Sequence, residues 1–174
     1  MLFFKKKKNV EIKEVNAYVS TKPSPDLDEL YNKSNEVYNL ITKEGKKDEI
    51  NFVEARNLVY GVEFIKSAKE SFGIEFTLRE SDIDYLDEII KLFVQENAKN
   101  KIDDETKFAY ISGVAGTFGI IANYYKGLTW INDDRTNGYK MRSNNSIYYV
   151  ESKILKLFDG CDDEDLKSFY ASMK

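Results

Sequence analysis

Apolar residues recur at three- and four-residue spacings in four long stretches of this chain. Each stretch opens on an acidic or hydroxylated residue, the pattern of amphipathic helices with N-terminal caps. In the first, Leu27, Leu30, Tyr31, Ser34, Val37, Tyr38 and Ile41 share one face until Gly45. Pro23-Ser24-Pro25 precedes them and predicts a helix over 25–43, with Ser24 as N-cap and Pro25 at the first helical position. The second stretch, 48–72, carries Ile50, Val53, Leu58, Val62, Ile65 and Phe72 and stops at Gly73. Gly61 weakens it and allows division into two shorter helices. After an extended link at Ile74-Glu75-Phe76-Thr77, Ser81 caps a helix over 81–97 whose apolar face is Ile83, Leu86, Ile89, Ile90, Phe93 and Val94. The fourth helix, 104–126, starts behind Asp103 and ends at Gly127 despite glycines at 113, 116 and 119.

The period changes at both ends of the chain. Val10, Ile12, Val15 and Val19, in imperfect alternation, predict an extended lead-in or edge strand within 9–20. Thr129-Trp130-Ile131 and Tyr139-Lys140-Met141 predict two strands joined by the turn-rich segment from Asn132 to Gly138. Helical spacing returns over 146–158, stopped by Gly160, and a last short helix spans 163–172. The fold class expected is α+β, mostly helical, with a small C-terminal antiparallel β-hairpin or sheet. At 174 residues, without internal repeats, residues 9–174 form one domain behind a flexible basic tail at 1–8.

Composition removes whole classes of chemistry. Histidine is absent, which excludes Ser-His-Asp and Cys-His systems and histidine-containing zinc sites. The one cysteine, Cys161, sits among Asp159, Asp162, Asp163 and Glu164, whose field disfavours a thiolate. A lone thiol fits a reducing compartment, so the cytoplasm is the expected location. Net charge is −4, opposite in sign to the basic footprint of nucleic-acid binding. The opening Met-Leu-Phe-Phe-Lys-Lys-Lys-Lys reverses the order of a secretory signal and supports at most weak contact with an anionic membrane through residues 1–8.

Three motifs fail on spacing. Gly113, Gly116 and Gly119 form GxxGxxG, not the GxGxxG of dinucleotide folds, and fit a buried helix that lets another backbone approach. The segments starting at Asp133 and Asp159 each miss a required position of a calcium loop: Arg135 and Asn144 in the first, Glu164 in the second. Asp84, Asp87 and Glu88 lie opposite an apolar stripe and are expected to be its solvated face. No metal or cofactor is expected, and no catalytic residue is singled out. Carboxylate-only glycosidase or magnesium-dependent chemistry needs no histidine, so an enzyme is the alternative.

The densest candidate surface is aromatic and cationic: Trp130, Tyr139 and Arg142, with Tyr124, Tyr125, Tyr148 and Tyr149 nearby and Asp133 and Asp134 as an acidic rim. Buried wedges between helix and hairpin are the other reading of these aromatics. Residues 74–170 carry Leu86-Asp87-Glu88-Ile89-Ile90, Gly119 through Asn123 to Gly127 and Trp130, Gly138-Tyr139, and Val150, Lys153 and Gly160. That pattern resembles a family of small bacterial helix-rich α+β domains of unknown function. An acid that often follows the family's glycine is replaced here by Ile120. The resemblance implies no activity and no catalytic residues. A looser likeness in size, acidity and helix content to bacterial immunity proteins suggests a non-catalytic protein-binding protein that occludes a basic toxin domain. A membrane-surface accessory role is the third expectation.

Overall fold

The most apolar stretch becomes the centre of the molecule. In a computed structural model that describes residues 22–42, 52–131, 139–161 and 164–174, six helices and three short strands follow in order. They are α1 (Leu27–Thr42), α2 (Phe52–Phe72), a 3-10 turn (Glu80–Asp82), α3 (Ile83–Lys99), α4 (Asp104–Lys126), β1 (Thr129–Ile131), β2 (Lys140–Arg142), β3 (Ile147–Tyr148), α5 (Val150–Phe158) and α6 (Leu166–Ser172). The fold is α+β and mostly helical, with an antiparallel sheet in the order β1-β2-β3. Among the described residues no helix is long and apolar enough to cross a membrane. The tail at 1–8, the strand expected at 9–20 and the loop at 132–138 lie outside the described residues.

α4 runs unbroken through its glycines, so residues 113–119 are a buried helix and not a phosphate loop. The glycines are needed because α2 crosses at backbone distance. A Cβ on Gly61 would lie 2.6 Å from the Gly116 carbonyl carbon, and one on Gly116 would lie 2.7 Å from Gly61 Cα. Two glycines therefore face each other where the helices touch, which also explains why α2 continues through Gly61 as one helix. Thr117 Oγ1 donates to the carbonyls of Gly113 and Gly61, closing the crossing with polar contact. Gly127, at φ 66°, ends α4 in the left-handed region and turns the chain into β1.

Several boundaries differ from the sequence reading. α1 is capped by Asp26, whose Oδ1 accepts from the N–H groups of Asp28 and Glu29. A carboxylate there also meets the positive end of the helix dipole, an advantage the hydroxyl of Ser24 lacks. Ser81 lies in the 3-10 turn and caps nothing, while the Asp82 carboxylate turns back to the N–H of Thr77 at 2.6 Å and pins the link before α3. The helix expected from 146 starts at Val150. Ser143 N–H donates to the Ser146 carbonyl in a tight turn, and Ile147 and Tyr148 pair with Arg142 and Met141 as a third strand.

Candidate functional site

On α2, Arg56 and Tyr60 stand one turn apart, as do Phe108 and Ser112 on α4, so the two helices present these four side chains side by side. Tyr139, just before β2, completes the group. The guanidinium carbon of Arg56 lies 4.4 Å from the Tyr139 ring centroid, 4.9 Å from that of Tyr60 and 5.5 Å from that of Phe108. One of its nitrogens donates to Ser112 Oγ at 3.2 Å, and another faces Glu151 Oε1 at 3.7 Å. Glu151 in turn accepts from Tyr139 N–H through Oε2, and its own N–H donates to the Tyr139 carbonyl. Four elements thus converge on one cation, whose side chain is 11% exposed. Contacts of a cation with aromatic faces contribute about 0.5–2 kcal/mol each, more as water is excluded.

The outer side of the cluster is open. Phe108 packs its edge on Tyr60 at 6.3 Å and is still 50% exposed. One turn towards the start of α4 are the exposed carboxylates of Asp104 and Glu105, behind the N-cap Asp103. Bonds from Thr106 hold the Asp103 carboxyl below its ordinary range. Lys107 forms an ion pair with Asp159, which brings the acidic end of α5 to the same rim. On α5, Leu155 is exposed one turn beyond Glu151. An aromatic patch with a fixed arginine beneath it and carboxylates along one edge results.

The residues expected to form the binding surface are dispersed. Tyr139 belongs to the cluster, and Arg142 is exposed at the end of β2. Trp130 is corrected from a surface anchor to a core residue: it is 5% exposed and fills the space above Gly119, where an added Cβ would clash with the indole. Asp133 and Asp134 lie outside the described residues. Of the remaining aromatics, Tyr148 packs edge-on against Phe169 and Tyr149 is half exposed over the buried Lys140. The sequence reading missed Arg56, Tyr60, Phe108 and Glu151. Phe108, an aromatic in the polar first turns of a helix, was the one local signal.

A second group of charges proves to hold the fold. Asp87, expected on a solvated face, is buried, and its carboxylate accepts from the N–H groups of Leu166 at 2.8 Å and Lys167 at 3.1 Å. It thereby caps the start of α6, which docks on that side of α3 and excludes water. Burial raises its pKa from an ordinary 3.8 to about 6. Glu88 does stay exposed, and Asp84 pairs with Lys167. A cleft of about 240 Å³ beside them is lined by Glu80, Ser81, Asp84, Lys126, Lys167 and Tyr170. Tyr170 donates to Glu80 at 2.6 Å, and burial is the largest cause of its raised pKa. Lys126, with its pKa lowered by burial, donates to the carbonyls of Tyr170 and Met173. These bonds tie α6 to α3 and α4. Among the described residues no three side chains of Asp, Glu or Cys gather where they could hold a metal ion.

No protein-family model, curated protein or solved structure matches this chain.

Proposed function

We propose that this protein is a non-catalytic protein-binding protein, and that its contact surface is the Phe108–Tyr139 face over Arg56 with its carboxylate rim. The observation that carries the reading is an aromatic cluster held by its own arginine, with Phe108 half exposed beside Asp104 and Glu105. Tyr, Phe and Arg supply large contact areas, and side chains already fixed in place lose little freedom on binding. Carboxylates along one edge favour a basic partner by steering its approach. Neutralisation of a basic toxin domain, as immunity proteins perform, is the form of this function that best suits a net charge of −4.

The test is co-purification from the native host, repeated with Phe108→Ala and with Asp104→Asn combined with Glu105→Gln. Truncating Phe108 is expected to weaken capture of the partner roughly 30-fold, equivalent to about 2 kcal/mol. Because that ring is half exposed, the melting temperature should change little. The double neutralisation should slow association at low salt and have little effect at high salt. A partner held equally by wild type and Phe108→Ala would refute the assignment of this face. Unchanged association at low salt would refute the basic partner.

A further inference from the structure

α1 is held unlike any other long helix of the domain. Of its 16 residues only Ser34 is buried, whereas α4 buries twelve of 23. Leu27 and Leu30 on its inner stripe are only partly covered, and Tyr38 is 54% exposed. Its packing is essentially against α2. Clefts separate it from the rest on both flanks. One, of about 100 Å³, lies between Pro25 and Leu30 on its side and Leu58, Ile120 and Trp130 opposite. The other, of about 300 Å³, separates Leu27 and Tyr31 from Ile65 and Phe76. Among the described residues its side-chain hydrogen bonds stay inside the helix or its cap, as Thr42 to Tyr38 and Asp26 to Asp28 show. Polar ties across include Lys66 over the Tyr31 ring at 4.9 Å and, ahead of the helix, Lys22, which donates to the Tyr124 carbonyl and lies 3.9 Å from that ring's centroid.

We infer that α1 is a detachable cover, opening and closing as a unit over an apolar face made of Leu58, Ile120 and Trp130 while the other five helices stay folded. A helix that buries few side chains between two clefts opens at a free energy well below that of global unfolding, because little apolar surface is exposed in the step. Opening uncovers Leu58, Ile120 and Trp130, which line the cleft opposite Pro25 and Leu30. This inference is independent of the Arg56 face and stands or falls separately.

The experiment is amide hydrogen exchange on the full chain, with Trp130, the single tryptophan, as a fluorescent reporter. In the wild type the amides of 30–42 should exchange together, roughly a hundredfold or more faster than those of α4. Leu30→Asp places a charge in the cleft opposite Trp130. It should speed exchange in α1 at least about tenfold, raise quenching of Trp130 by acrylamide and leave α3 to α6 unchanged. Lys22→Ala, which adds no charge to the cleft, should act in the same direction more weakly. Exchange of α1 at the rate of α4 would overturn the inference, as would acceleration of all helices together by Leu30→Asp. Faster α1 exchange without increased Trp130 quenching would show that α1 does not cover that face, and would also overturn it.

Discussion

Gly116→Ala is expected to destabilise the domain by about 3 kcal/mol, the upper end of ordinary overpacking costs. The new Cβ would stand 2.7 Å from Gly61 Cα, against a backbone that has no rotamer to change. α2 must then move off α4, opening the contact at which Asn57 and Gly61 meet Gly116 and Thr117. Alanine's better helix propensity returns only about 1 kcal/mol of this. Gly113→Ala tests the same approach one turn earlier. Its Cβ would lie 2.7 Å from Phe64 Cβ, an atom fixed to the α2 backbone, so the loss there should be comparable. Urea unfolding of both variants measures the losses. A loss below about 1 kcal/mol at both positions would show that the helices do not meet at this distance.

Asp87→Ala should cost about 2–4 kcal/mol when measured at pH 5, since the N–H groups of Leu166 and Lys167 lose their acceptor at a buried helix start. Asp87→Asn keeps one acceptor oxygen and should lose about half as much. The pH dependence follows from the direction of the shift. The folded-state pKa, about 6, lies above the ordinary 3.8, so the folded protein holds this proton more tightly than the unfolded chain. The associated stability is complete below pH 3.8 and is lost as pH rises to about 6. A shift of roughly two pH units amounts to about 3 kcal/mol, and burial of the ionised carboxylate is its largest cause. The advantage of the wild type over Asp87→Asn should therefore shrink by up to about that amount between pH 4 and pH 7. A gap that widens with pH would show that the two N–H bonds outweigh desolvation and that the carboxylate is stabilised in its charged form.

Helix spacing and stop signals are local properties, and they sufficed for most of the architecture. The apolar period marked α2, α3 and α4, and glycines 73, 127 and 160, all at positive φ, marked chain turns after a helix. The GxxGxxG of α4 pointed to close approach by another backbone because small residues at helical spacing leave one face bare, although nothing in the sequence named Gly61 as the other side. The nature of each polar residue was settled elsewhere. Asp87 has the spacing of a solvated residue and is buried because α6, 79 residues later, places its first N–H groups against it. Trp130 looks like an interface anchor until Gly119 is seen beneath it. Arg56 is an ordinary helix arginine in sequence, and becomes the centre of a site only when Phe108, Tyr139 and Glu151 arrive from three other parts of the chain. Apolar periodicity reports which face of a helix avoids water. Whether a charged or aromatic residue meets water, a ring or an unpaired N–H depends on what lands opposite, and only the tertiary structure decides that.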